Sequence, residues 1–124
     1  MNYLRKQKLL KLAASRPLLN KFDFIDRMEF IGFEYDKIAA TYDEISGLMQ
    51  LDDFSIYPED DLLNLYKIDD MDIHEMIEHL CEKLEVNFPS TEQCEEAFQS
   101  NGENFDTVYI LKLLHLEQAD KTLN

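Results

Sequence analysis

The chain is short of glycine and proline, with three of each in 124 residues. A cradle of backbone N–H groups for a phosphate needs a glycine-rich turn, and no GxSxG or phosphate-loop motif occurs. Cysteine is as scarce: Cys81 and Cys94 are too few for a disulfide framework and read as reduced thiols, which points to a cytoplasmic setting. Long uncharged runs are missing, so no segment is long enough to cross a bilayer. Basic residues are the largest deficit. Twelve Lys and Arg face 26 Asp and Glu, a formal net charge of −14. Phosphate would be repelled, which argues against nucleic acid and against an anionic membrane surface, and favours a basic protein partner.

Hydrophobic residues are not scarce. At 45% of the chain they suffice for one packed core, and the length suits a single domain. The charge is unevenly placed. Residues 1–21 hold Arg5, Lys6, Lys8, Lys11, Arg16 and Lys21 and no acid. The remainder holds six bases and all 26 acids, so a +6 arm precedes a −20 body. A basic, acid-free start resembles a transit peptide, but one serine and more Lys than Arg argue against it. The arm reads as a short amphipathic helix carrying Leu4, Leu9, Leu10 and Leu12, or as a segment that folds back and screens the acidic body.

The spacing of apolar residues predicts helices throughout. Pro17 closes the first, because the residue before a proline avoids the α region. Leu18, Phe22, Ile25, Met28 and Ile31 recur at helical spacing, interrupted at Gly32. Residues 34–50 form a second run and 70–86 a third, with Ile73, Met76, Ile77, Leu80 and Leu84 on one stripe. Asp69 or Asp70 is placed to cap that helix, and Ser90 or Thr91 to cap a short one over 91–99. A last helix is predicted over 104–118. Residues 51–68 read as a long ordered loop, since Pro58 and paired aspartates oppose a helix while Phe54, Ile56, Leu62 and Tyr66 must be buried. Strand alternation is nowhere sustained. The class is all-α, with a basic helical extension over 1–33 and an acidic helical domain over 34–124.

Chemistry is harder to place. His74 and His79 flank a Glu-rich turn as in zinc proteases, but that motif needs histidines four apart. A spacing of five sets the second about 140° round the helix from the first. None of the acidic clusters at Asp52-Asp53, Glu59-Asp60-Asp61 and Asp69-Asp70-x-Asp72 has both the alternating ligands and the sixth-position glycine of a calcium loop. No nucleophile–base pair presents itself. The expectation is therefore no enzyme, no metal and no cofactor.

Residues 57–89, YPEDDLLNLYKIDDMDIHEMIEHLCEKLEVNFP, form a pattern that resembles the second half of an acyl carrier protein. The loop end at Leu62–Ile68, the motif Asp69-Asp70-Met71 opening an acidic helix, and the helix end at Leu80–Pro89 carry the likeness, which spans about 34–118. It implies an acyl-carrier-like four-helix bundle with an extra N-terminal helical extension. The serine that would carry phosphopantetheine in that family falls on Asp70, which cannot form the phosphodiester. The chain is thus similar to acyl-carrier-like bacterial proteins that lack the modifiable serine. Two readings follow from the resemblance. In the first, Asp69, Asp70, Met71, Asp72, Glu75, Glu78 and Glu82 dock a basic surface of a toxin or enzyme, with an immunity or inhibitor protein as one form. In the second, the chain is a carrier with another attachment site. Ser55, in Asp-Phe-Ser-Ile, is poorly placed for that.

Overall fold

The computed structural model describes the backbone of residues 1–123 and the side chains of residues 1–116. Six helices account for most of it: α1 (Tyr3–Ala14), α2 (Lys21–Phe30), α3 (Tyr35–Met49), α4 (Asp70–Lys83), α5 (Thr91–Ser100) and α6 (Thr107–Leu123). Among the described residues there is no strand, so the all-α class holds.

Local chemistry sets most of the boundaries. Asn2 and Asn20 cap α1 and α2 by accepting backbone N–H groups of the first turn. Asp69 does the same for α4 through Met71 N–H at 2.8 Å. Ser90 and Gln93 form a reciprocal capping box at the head of α5. With few glycines to spare, helix ends use other residues in the left-handed region. Glu85, at φ 57°, lets Val86 N–H turn back to Cys81 O at 2.9 Å where α4 stops.

A single core joins the elements. Ile38, Ile45 and Met49 of α3 meet Ile73, Met76, Ile77 and Leu80 of α4 and Ile110, Leu111 and Leu114 of α6. Full burial of each such side chain contributes about 1.5–3 kcal/mol. Leu9 of α1 and Phe24, Ile25 and Met28 of α2 belong to the same cluster. Leu4 and Leu10 of the expected α1 stripe are exposed instead.

The α2 stripe also differs from its reading. Phe24 is buried and Phe22 is 77% exposed, together with Leu18 and Ile31. Phe24 stands edge-on to Tyr42 of α3, with ring centroids 4.9 Å apart. Choosing 24, 25 and 28 for the inward face turns residue 22 outward. Both sets have helical spacing, so periodicity alone does not separate them.

The segment between α3 and α4 is the long packed loop expected. Phe54, Ile56, Leu62, Tyr66 and Ile68 are buried, and Leu62 N–H bonds Phe105 O at 2.8 Å, tying the loop to the head of α6. The arm is fastened to this loop. Arg5 Nε donates to Tyr66 O at 2.8 Å, and Leu19 N–H donates to Ser55 Oγ at 2.9 Å. Arg16 meets the Asp60 carboxylate at 2.6 Å and lies 4.0 Å from the centre of the Tyr57 ring. Tyr57 in turn donates its hydroxyl to Pro17 O. The basic segment folds back onto the acidic body, and Lys21–Asp43 and Arg27–Glu59 continue the pairing.

Candidate functional site

Seven residues along α4 are the candidates from sequence, and the structure divides them into three groups. Met71, Glu75, Glu78 and Glu82 are all exposed. Their spacing of four, three and four puts them in one line along the outer face of the helix. Met71 begins that line at 71% exposure, a large apolar side chain heading a row of carboxylates.

Asp70 and Asp72 leave the line on opposite sides. Asp70 lies at the edge of an apolar cavity of about 380 Å³ lined by Ile73, His74, Phe88, Cys94, Phe105 and Tyr109 among others. Asp72 lies beside a shallower groove between α3 and α4 that also takes in Glu44, Glu75 and His79. It faces the basic arm as well, since its charge acts on Arg5, whose guanidinium burial otherwise lowers the pKa. Asp69 faces neither groove: its carboxylate is spent on the helix cap.

The two histidines of the false zinc motif are separated as the spacing implies. His74 Nε2 pairs with Glu78 at 3.0 Å on its own helix. His79 reaches Glu44 of α3 at 2.7 Å. Among the described residues no group of three or more His, Cys, Asp or Glu is placed to hold a metal ion. Cys81 is buried in the core and Cys94 is half-buried in the cavity wall. The Tyr109 hydroxyl lies 3.5 Å from Cys94 O, and burial together with Cys94 pushes its phenol well above the ordinary range.

Sequence reasoning misses the cavity. Phe88 lies beyond α4, Cys94 belongs to α5, Phe105 lies just before α6 and Tyr109 in its first turn, so the wall exists only once three elements close on one another. The four-residue spacing of Phe105 and Tyr109 is the one local hint, and their rings pack 4.7 Å apart. Equally unseen is the network at the head of α6. Asp106 is buried and accepts Asn101 Nδ2 at 2.8 Å, Asn104 Nδ2 at 2.7 Å and Tyr109 N–H at 2.9 Å. Burial still raises its carboxyl pKa above the usual value despite those three donors.

Ser55 is accounted for in a different way. It is buried, its hydroxyl accepts Leu19 N–H and its carbonyl accepts Arg16 Nη2 at 3.1 Å. A hydroxyl so placed is closed to any modifying enzyme while the arm stays docked. No family model, no curated protein and no solved structure matches the chain. Its function is argued from the geometry alone.

Proposed function

We propose that this chain is a non-catalytic protein-binding module whose docking face is the outer surface of α4. The observation that carries the reading is the line Met71–Glu75–Glu78–Glu82. An exposed apolar side chain leads three carboxylates at one-turn intervals, bordered by Asp70 and Asp72. Charged partners of opposite sign are steered to such a face, and the apolar group at its head gives the contact a desolvated anchor. The fitting partner is a basic protein surface with a small apolar socket. A toxin neutralised by an acidic inhibitor is one such partner, and an enzyme with a basic docking patch is another.

The reading extends to the architecture. We take α3 to α6 as an acyl-carrier-like four-helix bundle and α1–α2 as its helical extension. The order of a long helix, a packed loop, an acidic helix, a short helix and a closing helix supports this. Asp70 at the position of the carrier serine supports docking over acyl transfer. So does Ser55, which is covered by the arm.

The test is capture of basic proteins on immobilised full-length chain at low and at high salt. Capture at low salt, released by salt and abolished by Glu75→Lys with Glu78→Lys and Glu82→Lys, is expected. Absence of any cationic protein at low salt overturns the reading. Incubation with coenzyme A and a phosphopantetheinyl transferase is expected to leave the intact mass unchanged. A gain of one pantetheine unit would establish a carrier instead.

A further inference from the structure

The cavity of about 380 Å³ that Asp70 borders is left without a use by the docking of α4. Its lining sorts by exposure into a floor and a mouth. Ile73 and Ile77 of α4 and Tyr109 and Leu113 of α6 are buried and form the floor. Asp70, His74 and Phe88 are exposed and form the mouth. Phe105 is half-buried between the two. The volume lies at the small end of sites that take organic ligands, about 300–1,000 Å³.

The charges of the lining decide the class of ligand. No Lys or Arg lines the cavity. The Nε2 of His74 is taken by Glu78 at 3.0 Å, and its ring leans on Phe88 with centroids 5.3 Å apart. Asp69 is spent on the helix cap. Asp70 is therefore the carboxylate left at the mouth, and among the described residues it has no ion pair. An apolar molecule ending in a carboxylate or phosphate brings its charge up to Asp70 with no base to answer it, and like charges repel there. A neutral molecule leaves Asp70 unanswered. An ammonium group answers it. Three aromatic rings, Phe88, Phe105 and Tyr109, stand in the same lining, and the faces of such rings attract organic cations.

We propose that this cavity binds a small organic ammonium ion. The ligand is an alkyl- or arylamine, primary to quaternary. Its apolar body lies over Ile73, Ile77 and Leu113, and its cation stands at the mouth against Asp70. The site does not rest on the docking reading, because Glu75, Glu78 and Glu82 are no part of the lining.

Calorimetric titration of the full chain tests this, at roughly physiological salt to screen the overall acidity. The probes are octyltrimethylammonium, octanoate and 1-octanol, which share one tail and differ in head group. One octyltrimethylammonium per chain is expected, bound at least about tenfold more tightly than octanoate, with octanol between them. Asp70→Asn is expected to weaken the ammonium about fivefold and to leave octanol unchanged. Its circular dichroism stays that of the parent, because the side chain is exposed and the cap belongs to Asp69. Glu29→Gln, the same change of charge on α2, is expected to leave all three probes unchanged. Octanoate bound as tightly as the ammonium overturns the proposal. So does ammonium binding that Asp70→Asn and Glu29→Gln weaken alike, or the absence of saturable ammonium binding up to about 1 mM.

Discussion

Asp60 is nearly out of solvent, and its carboxylate is answered from two sides, by Arg16 at 2.6 Å and by the Tyr66 hydroxyl at 2.8 Å. Burial first, and then the adjoining Asp60, hold the Tyr66 phenol far above its ordinary range, so it stays a donor at any physiological pH. Arg16→Ala leaves that carboxylate buried with its cation gone. The expected loss is about 3 kcal/mol in denaturant unfolding, and Arg16→Ala with Asp60→Asn should cost less than the sum of the two single changes. His115 supplies a second single-residue outcome. Its Nδ1 lies 2.7 Å from Leu111 O and so carries the proton, which leaves Nε2 to accept Glu34 N–H at 3.1 Å. Burial, with Lys37 nearby, lowers its pKa against the opposing pull of Glu34. The folded state therefore binds this proton less readily than the unfolded chain does. Its contribution is complete above the unfolded value of 6.5 and is lost as pH falls below it. His115→Gln, which retains an acceptor and does not titrate, should flatten the stability-against-pH curve between about pH 7 and 5 relative to the parent.

Among the elements, α4 shows how a helix is closed at both ends by acidic residues with different tasks. Asp69 accepts Met71 N–H and holds negative charge at the positive end of the helix, where it stabilises. Glu85 at the other end sits in the left-handed region at φ 57°. A side chain there costs about 1 kcal/mol relative to glycine, which has no Cβ to clash. Glu85→Gly should therefore raise stability by about 0.5–1 kcal/mol, seen as a melting temperature higher by about 2–5 °C. An unchanged or lower value would mean that the exposed carboxylate contributes more than the backbone strain costs. The start of α4 is readable from the chain, since the Asp69 cap and the stripe of Ile73, Met76, Ile77 and Leu80 stand in the sequence and the core keeps them, whereas its end falls at Lys83 rather than at 86, with Leu84 as the cap. The inward face of α2 is not readable. Phe22 and Phe24 have the same side chain two positions apart, and only the Tyr42 ring on α3 selects one of them.

On the scale of the whole molecule, the +6 arm and the −20 body are parts of one folded unit. Leu9 and Leu19 of the arm are buried, Arg5 holds the Tyr66 carbonyl and Arg16 the Asp60 carboxylate. Removing residues 1–20 takes away the buried side chains of Leu9 and Leu19, about 2 kcal/mol each, and unpairs Asp60 as well. The sum is comparable to the whole stability of a domain of this size. Thermal unfolding of the shortened chain should show a melting temperature lower by more than about 10 °C, or no cooperative transition. An unchanged transition would make the arm a mere tail.

Helix positions, caps and overall acidity follow from the sequence by itself, because each depends on residues close together in the chain. The stripe of α4 is an example, and so is the cap of α5, which the sequence narrows to Ser90 or Thr91. So is the split of charge at residue 21. The seven candidate residues of α4 are legible only as a segment. Its division into an outward line, a cavity edge at Asp70 and a groove at Asp72 requires α3, α5 and α6 to be in place. Tertiary structure alone decides which aromatic of α2 is buried, which of the arm's bases find carboxylates and where His115 finds its donor. Those choices join residues from 18 to 81 positions apart. Local spacing holds no information about such pairs, and packing of the shared core selects them.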